Sequence, residues 1–420
     1  MKADARKEAP SADLMFSSME CAATAGVEAP PSADLGGTRH LIGFVYFTFI
    51  CYLSIGLPLA VVPPYVHLRM GYSAVLAGLA VSIQYVATLA SRPWAGRISD
   101  RSGAKVAVLW GMGACTASGA ALVITAALHA RPALSFACLI LSRLILGVGE
   151  SLGSTGSTLW GITSAGPQST AKVIGLNGIA TYGGMAVAAP LGVLLYQRWG
   201  LAAIGLVTIL MAGGSLVLAF RKDPVPVTPG SEHLGFSRVL GLVAPHGMGL
   251  ALGGVSYSVL ATFITLYYAS RHWTGAALCL TAFGVAFIAV RVLLIHTISR
   301  FGGFPVAMVS LAFESAGMIL LWLGTSPWMA IVGSVIAGLG FSLIFPALGV
   351  EAVERIPENS RGTALGVYTA FADVSFFLTG PIAGFVIGLD GYPSVFLFAL
   401  ICVLAALGIV IVLQRMQQRI

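Results

Sequence analysis

The chain has 420 residues, of which 57% are hydrophobic and only 9% are charged. Charged residues make up roughly a quarter of ordinary soluble domains, so this composition excludes a protein whose main solvent is water. The formal net charge is +7, but the basic residues are dispersed between apolar runs, which argues against a nucleic-acid partner. The six cysteines lie far apart, with no CxxC pair, so the sequence predicts neither a metal site nor a cofactor.

Residues 1–38 form a segment rich in alanine, proline and acidic residues, in which Glu8–Leu14 is nearly repeated as Glu28–Leu35. A segment of this composition buries too little apolar surface to fold, so we predict a disordered cytoplasmic tail. The tail lacks the apolar region of a cleavable signal peptide. We therefore expect the first hydrophobic run to remain in the protein as a helix.

Twelve hydrophobic runs follow the tail, each long enough to cross a bilayer as a helix. The predicted runs are 41–62, 73–94, 106–128, 134–157, 172–195, 201–220, 241–268, 275–296, 305–325, 328–350, 363–388 and 393–413. A polar stretch that contains proline separates the first six runs from the last six. The sequence predicts an all-α membrane protein with twelve transmembrane helices, divided into a six-helix half at 39–220, a cytoplasmic linker at 221–238 and a second six-helix half at 239–415.

The positions of lysine and arginine predict the orientation of the chain, because short cytoplasmic loops carry the excess of basic residues. With the N-terminus inside, only four arginines fall in outer loops, namely Arg69, Arg131, Arg198 and Arg271. Arg143 lies within a span, and the other members of the 23 lysines and arginines fall on the cytoplasmic side. We therefore expect both termini in the cytoplasm.

The two sets of six helices share residues at fixed offsets, as an internal duplication requires. At an offset of 199 residues, the matching pairs are Arg92 and Arg291, Arg101 and Arg300, and Gly103 and Gly302. At an offset of 191 residues, they are Gly147 and Gly338, Gly149 and Gly340, Ser151 and Ser342, Leu152 and Leu343, Gly175 and Gly366, and Pro190 and Pro381. The matches fall in corresponding runs and predict two pseudo-symmetric halves.

The loop after the second run, Gly96–Lys105, carries one carboxylate among several cations. Gly103 permits a tight turn, and Asp100 can pair with Arg97 or Arg101 or with the N-terminus of a neighbouring helix. The loop resembles the signature Gly-x-Leu-Ala-Asp-Arg-x-Gly-Arg-Lys loop of the major facilitator superfamily, from which it differs at Ile98, Ser99 and Ala104. The resemblance covers nearly all of residues 40–415.

In that superfamily the loop latches the two halves together on the cytoplasmic side. The resemblance therefore implies coupling or gating roles for Gly96, Asp100, Arg101, Gly103 and Lys105. The plainer alternative is a basic cytoplasmic loop with an incidental aspartate. The second copy, Ser299–Gly302, lacks the carboxylate, so we expect a one-sided latch.

The fourth run contains an intramembrane arginine, Arg143, followed by Gly147, Gly149 and Glu150. This pattern resembles the Arg-x-x-x-Gly-x-Gly pattern of the superfamily's fourth helix, although Glu150 departs from the usual small residue. An arginine inside a membrane is costly unless it is paired or hydrated, so Arg143 should face the central cavity. Glu150 lies about two turns further along, and a carboxylate that alternates between pairing with arginine and protonation can couple solute to protons. A static pair that only fixes packing is the alternative.

The fifth and eleventh runs carry small residues beside a proline, Pro190 with Gly192 and Pro381 with Gly380. The first pair partly resembles a Gly-Pro motif associated with antiporters, with Ala189 in place of the glycine, which favours export. A helix kink and a close-packing site explain the same residues equally well.

Two further acidic residues lie within predicted spans, Asp373 in the eleventh and Glu314 in the ninth. The superfamily fold places helices one, four, seven and ten around the cavity, which implies that Asp373 lies at the interface between the halves. It implies a peripheral position for Glu314, beside a neighbouring helix or a polar group. For His246 and His296 a hydrogen-bonded packing role is favoured over titration.

The same fold makes Tyr52, Tyr257, Phe341 and Phe345 candidates for the substrate cavity by position alone, together with Arg143. Packing or anchoring at the membrane interface is the alternative for each aromatic side chain.

The segments 153–160 and 342–349 resemble an uncharacterised proteobacterial subfamily grouped with sugar-efflux and drug-efflux permeases. The resemblance implies a monomeric transporter of the bacterial inner membrane that uses the proton gradient to export a small sugar-like or drug-like solute. An importer of a sugar or organic anion, bound through Arg143, is the first alternative. A non-transporting sensor is a minor alternative. An enzyme is not expected, because the sequence has no HExxH pair and no GxSxG motif in a suitable setting.

Overall fold

The computed structural model describes residues 35–165, 170–225, 236–354, 356 and 361–418. The chain divides into two units, Met1–His40 and Leu41–Ile420. The described part of the first unit is the start of the helix Leu35–Leu59, and the second unit contains the helices that follow. Residues 1–34 of the predicted tail and residues 226–235 of the predicted linker lie outside the described residues, so the domain boundaries stay predictions.

Twelve helices of the described chain are long and apolar enough to cross a membrane, which confirms the predicted number. We number them span 1 to span 12, in the order His40–Arg69, Ala74–Ser99, Ala104–Ala127, Pro132–Ala165, Val173–Trp199, Leu201–Arg221, Val239–Ser270, Ala277–Leu294, Gly303–Trp322, Pro327–Glu354, Gly366–Asp390 and Ser394–Gln417. The described residues contain no β-strand. Helices satisfy their backbone hydrogen bonds internally, as a bilayer requires.

Several spans consist of more than one helix or belong to a longer one. Span 1 is formed by Leu35–Leu59, Val62–Pro64 and the π-helical turn Tyr65–Arg69, and span 2 by Ala74–Ser82 and Gln84–Arg101. Spans 5, 7 and 11 belong to the longer helices Thr170–Trp199, Phe236–Ser270 and Arg361–Asp390. The short helix Thr297–Phe301 follows span 8. Prolines at 58, 63 and 64 explain the irregular end of span 1, because proline removes a backbone donor. The helix Gln84–Arg101 carries the polar residues described below.

Close packing at glycines repeats from one half of the protein to the other. A Cβ added at Gly147 in span 4 would lie 2.1 Å from the carbonyl oxygen of Gln84 in span 2. A Cβ added at Gly338 in span 10 would lie 2.4 Å from the carbonyl oxygen of Phe283 in span 8. Gly338 follows Gly147 by 191 residues and Phe283 follows Gln84 by 199, the two offsets seen in the sequence. The duplication is therefore present in the packing of the helices as well as in the sequence.

The turns that follow spans 2 and 8 also correspond. Gly103 and Gly302, which are 199 residues apart, adopt φ angles of 96° and 84° directly before spans 3 and 9. A side chain is strained in this left-handed region, so glycine is required at both turns.

Spans 2 and 11, and spans 5 and 8, join the two halves. A Cβ at Gly78 would lie 2.3 Å from the carbonyl oxygen of Gly380, and a Cβ at Gly284 would lie 2.2 Å from the Cβ of Ala186. Small residues thus let the halves touch directly. Spans 1 and 7 lie most deeply inside the helix bundle, each with 83% of its most apolar window buried.

Candidate proton and substrate site

Glu150 lies in span 4 and is buried, with 3% of its surface exposed. Gln84 Nε2 donates to Glu150 Oε2 at 3.2 Å, and Thr88 Oγ1 donates to the same oxygen at 3.1 Å. The phenol of Tyr52 in span 1 also interacts with this carboxyl group. We call Gln84, Thr88 and Glu150 the Glu150 cluster. These donors are neutral, so the hydrogen bonds that the described residues make to this carboxyl group involve no cation.

The Thr88 hydroxyl has a choice of acceptors. Besides Glu150 Oε2, the carbonyl oxygen of Gln84 lies at 3.1 Å and that of Gly147 at 3.2 Å. A hydroxyl proton forms one such bond at a time. Thr88 can therefore keep a partner whether or not Glu150 carries a proton.

Arg143 precedes Glu150 by about two helical turns and is 1% exposed. Its three guanidinium nitrogens have no hydrogen-bond partner among the described residues. The expected ion pair with Glu150 is not formed, because seven residues span about 10.5 Å along a helix and the Glu150 carboxyl group binds span 2. The two charges act on each other at longer range, as do Arg143 and the phenol of Tyr85.

Asp373 forms an ion pair that joins the two halves. Arg92 Nε in span 2 donates to Asp373 Oδ2, and Arg92 Nη2 donates to Asp373 Oδ1 at 3.0 Å, so the contact is bidentate. Asp373 is 4% exposed. The charges of Arg92 and Asp373 both act on Glu150. Asp373 therefore lies between the halves and connects the Glu150 cluster electrostatically to span 11.

Aromatic side chains from both halves meet between spans 5, 7, 8 and 10. We call this group the aromatic cluster; it consists of Tyr182, Tyr257, Phe283, Phe287 and Phe341. The rings of Tyr257 and Phe341 stack at a centroid distance of 5.6 Å, and those of Tyr182 and Phe287 lie 3.9 Å apart. Two of the predicted cavity residues, Tyr257 and Phe341, thus lie together. Tyr182 belongs to the N-terminal half, so the cluster crosses the interface.

The Glu150 cluster and three members of the aromatic cluster occupy equivalent positions in the two halves. By the offsets of 199 and 191, the equivalent pairs are Gln84 and Phe283, Thr88 and Phe287, and Glu150 and Phe341. The three phenylalanine rings lie 6.0 to 6.5 Å apart. One arrangement of helices therefore carries a carboxyl group with its donors in the first half and an apolar ring surface in the second.

The remaining cavity and packing candidates lie outside these two clusters. The ring of Phe345 packs on that of Tyr368 at 5.1 Å. Gly192 packs on span 1, where an added Cβ would lie 1.9 Å from the carbonyl oxygen of Leu57. Pro190 lines an apolar groove of about 490 Å³ between spans 1, 5 and 8. Pro381 lies inside the helix of span 11, next to the close contact at Gly380.

The predicted latch loop is described in part. Lys105 Nζ donates to the carbonyl oxygens of Phe220 and Lys222 at 3.0 and 2.6 Å, which ties the loop to the end of span 6. Arg101 is exposed, and Gly96 lies in the helix with open space around it. The side chain of Asp100 lies outside the described residues, so its role as a latch stays a prediction.

Glu314 and the two histidines lie away from the site. Ser256 in span 7 donates to the fully buried Glu314 carboxyl group, a polar neighbour of the kind expected. The His246 ring stacks on Phe304 with centroids 5.8 Å apart, and His296 is exposed after span 8.

Sequence reasoning missed six residues of the site, namely Gln84, Thr88, Arg92, Tyr182, Phe283 and Phe287. Two signals point to the first three: Arg92 matches Arg291 in the repeat, and Gln84, Thr88 and Arg92 follow one another at intervals of four residues, which places them on one helix face. Tyr182 has no comparable signal. In the described parts of the chain, no three His, Cys, Asp or Glu side chains come together to hold a metal ion.

Comparison with known proteins identifies the family. A family model described as Major Facilitator Superfamily matches residues 44–303 and again 247–418. The chain belongs to the major facilitator superfamily. A relative from Burkholderia mallei (strain SAVP1), described as an uncharacterized MFS-type transporter, is 50% identical over 390 residues, which cover 93% of this chain and 96% of the relative. A relative of the same description from Pseudomonas aeruginosa (strain UCBPP-PA14) is 50% identical over 393 residues, covering 93% and 98%.

Solved transporter structures share the fold of this superfamily member. The human organic anion transporter MFSD10 (TETRAN) aligns with a TM-score of 0.69 at 17% identity, covering 91% of this chain and 100% of that one. A D-xylose-proton symporter aligns with a TM-score of 0.70 at 17% identity, covering 88% and 97%. At these identities the likeness shows the fold and says nothing about the solute.

Proposed function

We propose that this superfamily member is a proton-coupled secondary transporter that exports a small sugar-like or drug-like solute by alternating access. The two halves rock around a site between them, so that solute and proton reach one side of the membrane at a time. Membership in the superfamily supports transport, and the surroundings of Glu150 support proton coupling.

The single observation that carries the proposal is the buried carboxyl group of Glu150 with neutral donors. A charge inside a membrane span is unfavourable, and no cationic side chain of the described residues binds this carboxyl group directly. A proton removes the charge, and Thr88 can then donate to a backbone oxygen instead. Glu150 is therefore suited to bind a proton in one state of the transport cycle and release it in another.

Glu150 also acts on the contact that joins the halves. Its charge interacts with those of Arg92 and Asp373, which form the bidentate pair between spans 2 and 11. Protonation of Glu150 changes the electrostatic field at this pair, and thereby the relative free energies of states in which the spans touch or separate. This link couples proton binding to movement of the halves.

The small residues of span 5 favour export over import. Around Pro190 they resemble the Gly-Pro motif associated with antiporters. They pack closely on span 1: a Cβ at Gly184 would lie 2.9 Å from the carbonyl oxygen of Phe49, and one at Gly192 would lie 1.9 Å from that of Leu57. The motif therefore lies at a tight helix contact, where a change of packing would move span 5 relative to span 1.

The direction is tested with everted membrane vesicles that have an acidic interior. A set of sugars and drugs is added outside, and proton movement is followed with a pH-sensitive dye. Export predicts that a transported solute enters the vesicles while protons leave, so the interior becomes less acidic. Entry of the solute into vesicles with a neutral interior, accompanied by acidification of that interior, would contradict export.

The role of Glu150 is tested with Glu150→Gln in the same vesicles. The variant should lose proton-driven accumulation of solute while exchange of solute for solute continues. Glu314→Gln is the matched control, since Glu314 is equally buried but binds Ser256 in another part of the protein. An unchanged ratio of protons to solute in Glu150→Gln would refute the assignment.

A second candidate function is import of an organic anion together with a proton. It is favoured by Arg143, whose buried guanidinium nitrogens have no hydrogen-bond partner among the described residues. A carboxylate of the solute would supply the missing acceptors. Arg143→Lys should then weaken solute binding, and solute and protons should move in the same direction.

The location and state of assembly are also part of the proposal. We expect a monomer in the bacterial inner membrane, with both termini in the cytoplasm and the proton gradient as energy source. Reporter tags at the two ends should both report the cytoplasmic side, and tags on opposite sides would contradict the topology.

A further inference from the structure

Arg291 in span 8 is buried, with 8% of its surface exposed. Its Nη2 donates to the carbonyl oxygen of Ser342 at 2.6 Å, and its guanidinium lies 5.0 Å from the centre of the Phe287 ring. Its Nε has no hydrogen-bond partner among the described residues. The ionisable groups that act on this guanidinium are the phenols of Tyr182 and Tyr368, and no carboxylate is among them in the described chain. Among the described residues, Arg291 is thus a buried cation without a counter-charge.

Comparison with the equivalent arginine of the first half shows why the lack of a carboxylate at Arg291, among the described residues, is unusual. Arg92 and Arg291 are equivalent by the offset of 199 residues, and each lies at the contact between the two halves. Arg92 meets Asp373 in span 11. The residue equivalent to Asp373, by the offset of 191, is Tyr182 in span 5, and Tyr182 is the neighbour of Arg291. The second interface therefore has the arginine of the first but a phenol where the first has a carboxylate.

We infer that the transported solute supplies this carboxylate, so that Arg291 and Tyr182 form a binding subsite for a small organic monoanion. The inference rests on the proposed transport function and names the class of solute. The charged guanidinium binds the carboxylate through its Nε, which has no protein partner, and the Tyr182 hydroxyl donates a further hydrogen bond.

The surroundings of Arg291 define the rest of the solute. Tyr182, Phe287 and Phe341 belong to the aromatic cluster, with ring centroids 3.9 Å apart for the first pair and 5.8 Å between Tyr182 and Phe341. Aromatic faces bind an apolar or aromatic body by offset or edge contacts. A dianion such as a phosphate ester would need a second cation beside Arg291. The subsite therefore fits a monocarboxylate with an aromatic or apolar body.

Arg291 suits this role better than Arg143 does. The charge of Glu150 acts on Arg143 and partly compensates it, whereas no carboxylate of the described residues acts on Arg291. Arg291 also lies at the contact between the halves: a Cβ added at Gly178 in span 5 would lie 3.7 Å from its Nη1. A solute bound there contacts both halves, as alternating access requires.

The test measures equilibrium binding to purified full-length protein in nanodiscs, with no gradient across the membrane. The probes are benzoate, 3-phenylpropionate, 4-phenylbutyrate and 1-naphthoate, each paired with its neutral primary amide. We expect at least one carboxylate to bind roughly tenfold or more tightly than its amide, since a charged hydrogen-bonded pair is lost in the amide.

Four variants locate the site. Arg291→Gln should abolish the preference for the carboxylate, and Arg291→Lys should keep part of it because lysine retains the charge but not the planar fork. Tyr182→Asp should also abolish it, because the new carboxylate completes the pair that Arg92 and Asp373 form in the other interface. Arg300→Gln is the matched control: Arg300 also lies over a phenylalanine ring, at 5.1 Å, but it is exposed at the end of the short helix after span 8.

The outcomes are decisive in both directions. Loss of the preference in Arg291→Gln and Tyr182→Asp, with normal binding in Arg300→Gln, supports the subsite, provided that the variants melt within a few degrees of the wild type. Equal binding of carboxylates and amides overturns it, as does a preference that survives Arg291→Gln or disappears only in Arg143→Gln. If Tyr182→Asp fails to fold, Tyr182→Phe takes its place. Tyr182→Phe should bind the carboxylate a fewfold more weakly than the wild type, because it lacks the hydroxyl donor. Unchanged affinity for the carboxylate would count against the hydroxyl contact.

This test can fail independently of the proposed function. A wild-type protein that couples a neutral solute to protons in vesicles, but shows no preference for carboxylates, overturns the inference alone. A protein that binds the carboxylates through Arg291 but moves no protons overturns the proton coupling alone.

Discussion

Spans 2 and 8 are equivalent helices of the two halves, and they agree in one position of the site while differing in two others. Span 2 presents Gln84, Thr88 and Arg92. Span 8 presents Phe283, Phe287 and Arg291 at the same places. The backbone contacts behind these residues, at Gly147 and Gly338, are the same in both halves. The comparison shows that helix packing and site chemistry vary independently: both halves retain the same packing of helices, whereas the side chains at the site differ between them.

The difference between the halves has a direct consequence for function. A carboxyl group that binds a proton needs polar donors, and a solute with an apolar body needs rings. Placing the donors in one half and the rings in the other lets each change its contacts when the halves move. The two inter-half arginines follow the same division, since Arg92 has a protein carboxylate as its partner and Arg291 has none within the part of the chain that the structure describes.

The largest expected effect is a difference in the free energy of unfolding between variants of Arg92 and variants of Arg291. Arg92→Gln leaves the buried Asp373 without its cation and should lower the free energy of unfolding by about 3–5 kcal/mol. Arg291→Gln removes one hydrogen bond to a backbone oxygen and should cost less than about 2 kcal/mol. Denaturation with SDS in mixed micelles measures both values.

The double variant Arg92→Gln/Asp373→Asn serves as the control for this comparison. Removal of both charges should recover much of the stability lost in Arg92→Gln, because no buried charge is then unpaired. Equal losses from Arg92→Gln and Arg291→Gln would contradict the difference between the two interfaces.

The second effect tests whether the two halves are packed alike. Gly147→Ala and Gly338→Ala each force a methyl group against a backbone oxygen of the neighbouring helix, at 2.1 and 2.4 Å. Overpacking of this kind should cost about 1–3 kcal/mol in both variants, measured by the same denaturation. Gly113→Ala, at a helical position with nothing within 4 Å, should instead be neutral or slightly stabilising. A loss in one half alone would break the structural equivalence on which the comparison depends.

Much of this fold follows from the sequence, because the bilayer imposes strong local constraints. Helices must be apolar over about 20 residues, so the runs around Phe44 and Phe396 are recognisable as spans without any knowledge of their neighbours. Glycines such as Gly147 and Gly338 recur at a fixed offset because each admits a close helix contact. These constraints depend on one residue or one helix at a time.

The site was less predictable, because its contacts depend on which helices meet. Arg143 and Glu150 share a helix face, which predicted an ion pair, but Gln84 and Thr88 of span 2 take the carboxyl group. Nothing local to Arg92 shows that it pairs with Asp373, 281 residues later. Tyr182 resembles any other aromatic residue of an apolar run until the offset places it opposite Asp373.

The smallest expected effect concerns the loops at the ends of spans 2 and 8, which share a glycine turn but differ in charge. Asp100 of the first loop is equivalent to Ser299 of the second, whose hydroxyl donates to the carbonyl oxygen of His296 at 2.8 Å. An exposed ion pair contributes about 0.2–1 kcal/mol, so Asp100→Asn should slow solute flux by up to about fivefold. Insertion and thermal stability should stay normal.

Ser299→Ala is the matched control for Asp100→Asn and should leave flux unchanged, because no carboxylate is removed. Flux assays at equal protein level in the membrane distinguish the two variants. Solute flux at the wild-type rate in Asp100→Asn would contradict the predicted latch role of the first loop. The contacts of Lys105 with the end of span 6 would then be purely structural within one half, and the electrostatic control of the movement between halves would rest with Arg92 and Asp373.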